Sequence, residues 1–330
     1  MTSGLHVDGV LVQWGERLFY PGNRMVKSPP PARLDAMTHR KAAVIRKRIE
    51  SVVRRVPQVM VKVTGGGRGM DAIAAHFRYI SKNGRLDIED DRGEVVNGKE
   101  AVRDLADQWR YAGSLIEEVG HRREAFNIML SMPAGTDAQI LQKAVREFAQ
   151  CELAGHRYVM VLHEHQANPH VHLSMRAESA TGKRLNPRKT DLHRWRETFA
   201  EKLRGWGIEA EATRQASRGE SRNFEPLWRL KAREAGRLRV APSAPRAGSR
   251  HRSRAEAMAS WAHILNALKD SEILEDRKLA RQVGEFVRAM PLVREHAGQP
   301  DPVAGIPTAQ PTQRTLPGIQ SERTGLDRTR

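Results

Sequence analysis

The chain has 330 residues, enough for one large domain or two smaller ones, and its 56 Lys and Arg against 39 Asp and Glu give a formal net charge of +17. Such a charge favours a polyanionic partner such as nucleic acid. The single cysteine, Cys151, excludes a disulfide framework and a cysteine-based zinc site, as expected of a reduced, intracellular protein. We find no run of 18 apolar residues and no signal-peptide pattern, and we therefore expect a soluble, cytoplasmic protein without membrane insertion.

The first 56 residues are interpreted as a basic N-terminal extension. Val10 to Tyr20 has a strand-like pattern in which Gly15 could turn a hairpin, and Pro29 to Pro31 interrupt it. From Arg33 to Arg55 there are eight basic residues against two acidic ones, in a pattern that could be helical. Such a helix could lie along phosphates or could simply present a solvated face.

A strand, a glycine-rich turn and a helix are predicted next. Val59 to Val63 is an apolar, β-branched strand around one lysine, and the turn from Thr64 to Gly69 could offer backbone N–H groups to a phosphate, although it matches no nucleotide-binding motif. In the helix that begins near Asp71, Tyr79 lies at the margin of the apolar stripe, where its phenol can reach a cleft. The stripe that should pack inward comprises Ile73, Phe77 and Ile80.

The acidic segment from Asp87 to Glu94 is expected to be a surface loop, and a helix is expected from about Lys99 to Ile116. Ala125 to Met132 alternates in polarity as a half-buried strand does, and this alternation directs Ser131 to the face that does not join the core.

A capping box of Thr136 and Gln139 predicts a helix that runs through Phe148. Further along the chain, a helix is predicted from Asp191 to Arg204 after the basic loop Lys183 to Lys189.

Residues 159–175, VMVLHEHQANPHVHLSM, are the most informative stretch of the sequence. Two apolar runs flank a turn and predict a β-hairpin, in which alternation places His170 and His172 on one face and an antiparallel partner can bring His163 opposite them. Imidazole is the commonest neutral metal ligand, and three imidazoles leave coordination positions open for a substrate oxygen. The alternative interpretation is a histidine-rich loop that binds metal adventitiously or not at all.

Three segments resemble the motifs of the relaxases, the mobilization nucleases of conjugative plasmids, a family that includes T-DNA border endonuclease-like enzymes. HFRYISKNGRL resembles the nucleophile motif, with Tyr79 in the tyrosine position. AFNIMLSMPAGTD resembles the second motif, with Ser131 in the serine position, and HEHQANPHVHL resembles the metal-binding motif. The order and spacing agree over residues 59–219. One departure is His165, which stands where the family has an acidic residue, so the group that accepts the tyrosine proton is open between Glu164, His165 and Asp71.

The resemblance implies an α+β fold of the HUH-endonuclease type, with a central antiparallel β-sheet flanked by helices. It implies that His163, His170 and His172 bind one divalent metal ion, Mg²⁺ or Mn²⁺ with Zn²⁺ as the alternative. It further implies that Tyr79 nicks one DNA strand to leave a 5′-phosphotyrosyl link and a free 3′-OH, before strand transfer and religation. The catalytic set expected from the motifs is Tyr79, Ser131, Glu164 and His165.

The partners implied are single-stranded or supercoiled DNA at a transfer origin, accessory relaxosome proteins and a type IV secretion coupling protein, with possible translocation into a recipient cell. The basic residues expected to contact DNA are Arg68, Lys82, Arg85, Lys183, Arg184, Arg188, Lys189 and Arg194. The segments expected along the chain are the extension 1–56, the nuclease domain 57–238, a basic linker 239–254, a helical segment 255–292 and a disordered tail 293–330.

Two other functions are compatible with these patterns. A rolling-circle replication initiator shares the histidine and tyrosine chemistry, but it usually places tyrosine after the histidines, whereas Tyr79 precedes His163 here. A catalytically silent DNA-binding protein would use the basic surface alone, and metal-dependent nicking of a supercoiled plasmid would distinguish it from the enzyme.

Overall fold

The fold, taken from a computed structural model that describes residues 2–20, 36–220, 232–237, 247–291 and 293, is built on one antiparallel sheet of six strands in the order β1-β4-β6-β5-β2-β3. The predicted α+β fold with a central antiparallel sheet is confirmed. The strands are β1 (Met60–Gly65), β2 (Ile88–Asp90), β3 (Val95–Val96), β4 (Ala125–Ser131), β5 (His156–His163) and β6 (His170–Ser179).

Helices cover the sheet and also extend beyond it. Their bounds are α1 (Thr2–Phe19), α2 (Ala36–Val53), α3 (Met70–Ile80), α4 (Lys99–Tyr111), α5 (Ala138–Glu152), α6 (Lys189–Gly205), α7 (Ala247–Lys269) and α8 (Leu274–Arg288). None of the described helices is long and apolar enough to cross a membrane.

Side-chain alternation along the strands builds a separate core on each face of the sheet. On one face Met160, Leu173 and Ile128 pack against α5 and α6. On the other face Val159 and Val161 of β5 pack under α3 and α4. The helices α3 and α4 pack on the β5 and β2 side, and the same face of β1 is exposed at Met60 and Lys62. The sheet therefore has an open strip beside α3.

The two terminal segments of the described chain form one helical unit, which we call the terminal helical unit: α1, α2, α7 and α8. Its core unites residues from all four helices, among them Leu11, Ile49, Trp261 and Val283. The predicted strand and hairpin at Val10 to Tyr20 are wrong, because this segment is part of α1. A Cβ at Gly15 would lie 2.4 Å from the Ile45 side chain, so this glycine allows two helices to approach closely and does not turn a hairpin.

Buried ion pairs hold this unit together and attach it to the sheet. Arg46 binds Asp276 through two hydrogen bonds of 2.7 and 2.9 Å and Asp8 through one of 2.7 Å. Arg48 pairs with Glu197 of α6 and with Glu211. Two arginines of the basic helix α2 therefore pair with carboxylates inside the protein, and α2 does not simply present a solvated basic face.

Several boundaries differ from the predictions. The acidic segment is not wholly a surface loop: it supplies β2 and the exposed turn that leads to β3. Glu89 is buried because Arg146 of α5 pairs with its carboxylate. α4 ends at Tyr111, short of Ile116, and Asp137 caps α5 by accepting a hydrogen bond from the Ile140 amide.

The helical segment predicted from residue 255 is present as α7 and α8, but α7 begins at Ala247, inside the predicted linker. The terminal helical unit also joins residues of the predicted extension to this segment, which the sequence treated as separate. The tail predicted to be disordered lies, apart from residue 293, outside the described residues.

Candidate functional site

Three histidines of the β5–β6 hairpin converge on one face of the sheet. His163 pairs with His170 across the two strands, and His172 lies two residues further along β6, so all three side chains share a face. Their ring centroids lie 4.6 to 5.1 Å apart, and one nitrogen from each ring lies within 4.8 Å of the others. Three imidazole nitrogens grouped in this way form a candidate donor set for a single divalent cation.

Backbone carbonyls orient two of these rings. The His163 Nε2–H donates to the Ile80 carbonyl at 2.6 Å, and the His170 Nδ1–H donates to the Asn168 carbonyl at 3.0 Å. These bonds leave Nδ1 of His163 and Nε2 of His170 as acceptors, which is the outer-partner arrangement typical of metal-ligating histidines. The donor set therefore fits a divalent cation.

Burial keeps the rings of His163 and His172 in the form that can bind metal. His163 and His170 are 6% exposed, and burial together with the neighbouring imidazoles lowers the pKa of His172 to about 3. Burial likewise lowers the pKa of His163. His163 and His172 are therefore neutral at neutral pH, with lone pairs available to a cation.

The hydrogen bond from His163 also fixes the end of α3, which carries Tyr79. The phenol ring of Tyr79 is 70% exposed, and its centroid lies 6.3 Å from that of His172. The structure thus places the sequence-predicted nucleophile beside the three histidines, with its ring open to solvent.

A fourth histidine, His76, was missed in the sequence analysis. Its ring centroid lies 6.2 Å from that of Tyr79 and 6.5 Å from that of His172. Its Nε2 is buried without a hydrogen-bond partner in the described part of the chain, and burial lowers its pKa to about 4. The spacing of three residues between His76 and Tyr79 on a helix was the signal that could have found it.

Ser131 supports the site from the next strand. It pairs with His170 across β4 and β6, is 5% exposed, and its hydroxyl donates to the Pro169 carbonyl at 3.2 Å. The hydroxyl thus contacts the backbone just before His170, and this contact positions the turn that carries a metal-binding candidate.

The three candidates for the proton acceptor are placed differently. His165 is exposed, with its ring 5.1 Å from that of His163, and Glu164 is also exposed beside it. Asp71 lies at the opposite end of α3 from Tyr79, in a hydrogen bond with Glu118. Tyr79 follows Asp71 by eight positions, which correspond to about 12 Å along the helix axis. Asp71 is therefore too distant to accept the tyrosine proton directly.

The basic residues predicted to contact DNA fall into two groups. Lys82 and Arg85 follow α3 at the histidine end of the sheet, and Lys82 contributes, after burial, to the lowered pKa of His165. Both are exposed, and neither has an ion-pair partner among the described residues. These two residues are therefore free to meet a phosphate near the histidines.

The other group lies at the opposite end of the sheet. Ser179 follows His170 by nine positions along β6, which correspond to about 30 Å. The Ser179 amide donates to the Lys183 carbonyl, so Lys183 lies at this end. Arg184 pairs there with Glu124 and Glu178, and Arg194 pairs with Glu152. Three further members of this group are exposed: Lys183, Arg188 and Lys189.

The glycine-rich turn also lies at that far end and is not an open phosphate cradle. A Cβ at Gly66 would lie 2.2 Å from the Ala125 carbonyl, and one at Gly69 would lie 2.3 Å from the Glu118 carbonyl. The first amides of α3, those of Met70 and Asp71, already donate to backbone carbonyls. Arg68, within this turn, is therefore remote from the histidines.

Lys62 is a second residue that the sequence analysis did not assign to the site. The register aligns Lys62 of β1 with Met129 of β4, and Met129 with His172 of β6. Two strand spacings place Lys62 about 10 Å from His172 on the same face. Lys62 is exposed and has no ion-pair partner among the described residues, so the open strip beside α3 carries a free cation. Only the strand register reveals this.

Comparison with known proteins gives consistent matches. Residues 79–208 match the family model "Relaxase: MobA/VirD2-like, nuclease domain". The chain is 25% identical over 183 residues to the T-DNA border endonuclease VirD2 of Rhizobium radiobacter, a match that covers 49% of this chain and 43% of that protein. Among solved structures, the conjugative relaxase TrwC in complex with oriT DNA, a metal-bound structure, is 13% identical with a TM-score of 0.33, over 62% of this chain and 98% of that one. This last similarity is too low to carry an argument.

Proposed function

We propose that this chain nicks one strand of DNA at a transfer origin and retains the 5′ end on Tyr79, because residues 79–208 match the nuclease domain of the relaxases. The observation that carries the proposal is the position of the exposed Tyr79 ring, 6.3 Å from a cluster of three histidines. A simple DNA-binding surface would not need a nucleophile beside a metal site.

The reaction is a transesterification at phosphorus. A bond forms between the Tyr79 phenol oxygen and phosphorus as the bond from phosphorus to the 3′ oxygen breaks, and the 3′ oxygen leaves as a hydroxyl. The bond energy is kept in the tyrosyl ester, so the reverse attack by a 3′-OH rejoins the strand.

His163, His170 and His172 would hold the metal ion. When bound, a divalent cation draws charge from the non-bridging phosphate oxygens, which makes attack by a weak nucleophile possible. Nitrogen donors suit Mn²⁺ or Zn²⁺ better than Mg²⁺, which prefers oxygen. We therefore propose Mn²⁺ or Zn²⁺ ahead of Mg²⁺.

Other side chains prepare the nucleophile and the substrate. His76 packs beside the Tyr79 ring and holds it towards His172, and Lys82 and Lys62 offer positive charge to the phosphates on either side. His165 and Glu164, both exposed beside His163, are the groups proposed to accept the phenol proton. The basic residues at the far end of the sheet, from Lys183 to Arg194, would contact the DNA only if the strand extended along the whole length of the sheet.

The same proposal makes DNA at a transfer origin the substrate, in single-stranded or supercoiled form. Accessory relaxosome proteins and a secretion coupling protein are the partners it implies, and the cytoplasm is the place of the nicking reaction. The match with VirD2 covers less than half of that protein, so partners that bind the remainder of VirD2 are not proposed for this chain.

Nicking of a supercoiled plasmid that carries the cognate transfer region tests the function. Addition of Mn²⁺ to chelator-treated protein should convert the plasmid to open circles that carry covalently bound protein after denaturation. Open circles without bound protein would indicate hydrolysis in place of a tyrosyl ester. If no open circles form with Mn²⁺, Zn²⁺ or Mg²⁺, the proposed nicking activity is wrong and the alternative, a DNA-binding protein that does not cleave, is favoured.

A further inference from the structure

We infer that the groove between α3 and α4 binds one nucleotide of the DNA strand, with its phosphate at the Tyr79 end and a base that carries an exocyclic amino group. The inference rests on the proposed function, because it takes the strand at Tyr79 as the ligand. It adds a base-reading site outside the histidine cluster.

The groove is a built cavity and not a shallow depression. Its volume is 380 Å³, within the range of about 300–1,000 Å³ that is typical of ligand pockets. Apolar side chains of both helices form its floor: Met70 and Ala74 from α3, and Val102 and Ala106 from α4. An apolar floor between two helices suits the face of a nucleobase.

One end of the groove is cationic. The start of α4 lies beside the end of α3, because the Gly98 amide donates to the Gly84 carbonyl. Arg78, Lys99 and Arg103 line the groove at this end. Within the described residues, none of the three has a carboxylate within ion-pair distance, in contrast to Arg110 at the other end, which pairs with Glu118. Three unpaired cations at one rim suit a phosphate.

The other end of the groove is lined by carboxylates. Asp71 and Glu118 share a hydrogen bond there, and Asp107 of α4 lies among the same lining residues. Asp107 has no ion-pair partner in the described part of the chain. An ionised carboxylate only accepts hydrogen bonds, so it favours the exocyclic amino group of a base such as cytosine over thymine, whose exocyclic oxygens are acceptors and whose single donor is the ring N3–H.

The position of the groove connects it to the cleavage site. Arg78 directly precedes Tyr79, so the cationic end begins within one helical turn of the phenol. A DNA strand attached at Tyr79 has its neighbouring nucleotides within reach of this end. The polarity of the groove then places the phosphate towards Tyr79 and the base towards Asp107.

Equilibrium binding of short oligonucleotides tests this inference without cleavage. The full chain with Tyr79→Phe, in EDTA at pH 8, is titrated into fluorescein-labelled (dC)8 and (dT)8, and anisotropy reports the dissociation constants. The expected result is binding of (dC)8 at least about fivefold tighter than binding of (dT)8, the size expected of one good base contact. Equal affinities would overturn the inference.

Three variants locate the preference. Asp107→Asn adds an amide donor that thymine can accept, so the ratio of the two affinities should fall to near one. Ala74→Leu narrows the cavity without removing charge and should also abolish the preference. Arg103→Gln should weaken both oligonucleotides by several-fold and leave their ratio unchanged.

Arg281→Gln is the matched control, since Arg281 is an exposed helical arginine of α8 without an ion-pair partner among the described residues. It should leave both affinities unchanged. A cytosine preference that survives Asp107→Asn and Ala74→Leu would place the base elsewhere and contradict the inference. If neither oligonucleotide binds while plasmid nicking proceeds, the groove assignment alone fails; if both binding and nicking are absent, the proposed function fails with it.

Discussion

The two ends of the six-stranded sheet differ in how many of their basic residues already pair with carboxylates. At the histidine end, Lys82, Arg85 and Lys62 are exposed and have no carboxylate partner among the described residues. At the far end, Arg184 and Arg194 are engaged with carboxylates, whereas Lys183, Arg188 and Lys189 are exposed without an ion-pair partner among the described residues. A cation that already pairs with a carboxylate gains less from a phosphate, because the existing pair must first be broken. Whether a cation already pairs with a carboxylate therefore decides how much it can contribute to DNA binding.

The same contrast applies to the whole chain. Residues 57–220 contain 25 basic and 23 acidic residues, so they carry only +2 of the net charge of +17. The domain with the candidate active site is therefore nearly neutral. Its attraction for DNA therefore depends on individual unpaired cations, such as those near Tyr79, and substitutions can separate the cations that bind DNA from those that pair within the protein.

Loss of a metal ligand should have the largest effect. His170→Ala should reduce plasmid nicking by more than the roughly 10- to 100-fold that loss of an outer partner costs, while binding of DNA stays near that of the parent. It should also remove the rise in melting temperature that Mn²⁺ or Zn²⁺ gives the parent. His121→Ala, at an exposed histidine outside the site, is the control. Nicking by His170→Ala at the parent rate would show that the three histidines do not hold the catalytic metal.

Removal of Arg46, which pairs with two buried carboxylates, should lower the stability of the fold. Arg46→Met leaves the buried Asp276 with only the Ser271 hydroxyl and the buried Asp8 with only His39, and it should lower the free energy of unfolding by about 3–5 kcal/mol, measured by urea denaturation. Lys41→Ala removes an exposed pair with Glu16 in the same unit and should cost no more than about 1 kcal/mol. Similar losses in the two variants would remove the distinction between buried and exposed pairs.

Removal of the unpaired cations should act on DNA affinity. The double substitution Lys82→Gln and Arg85→Gln should weaken single-stranded DNA binding, and the slope of log affinity against log salt should become shallower by about 0.7 for each phosphate that is no longer neutralised. Stability should change by less than about 0.5 kcal/mol, because neither side chain is paired in the described structure. An unchanged salt slope would place the DNA path away from the end of α3.

The smallest effect on DNA is expected at the far end of the sheet. Arg184→Gln breaks the pairs with Glu124 and Glu178, so it should lower the urea midpoint and leave DNA affinity and salt slope at the parent values. A shallower salt slope in this variant would show that DNA extends along the whole sheet and that the ion pairs exchange for phosphates.

The central features of the site could be predicted because they depend on local sequence. Alternation placed His170 and His172 on one face, and helical periodicity placed Tyr79 at the margin of the α3 stripe. The hairpin turn then brought His163 into range. These arguments need only the geometry of one strand, one turn or one helix.

The remaining features depend on partners distant in sequence. Glu89 is buried in a strand because Arg146, 57 residues later, neutralises it, and nothing in the acidic segment reveals this. Gly15 fits a helix only because Ile45 packs against it. Lys183 follows the histidines closely in sequence, yet the length of β6 carries it to the other end of the sheet.

The central claim is that Tyr79 is the nucleophile, and the chain offers a matched control in Tyr111, whose side chain is 71% exposed against 70% for Tyr79. Protein trapped on a single-stranded origin oligonucleotide is digested, and the peptide that carries the nucleotide is identified by mass spectrometry. We expect the adduct on the peptide that contains Tyr79, its loss in Tyr79→Phe and its retention in Tyr111→Phe. An adduct on another residue, or strand transfer by Tyr79→Phe, would contradict the account.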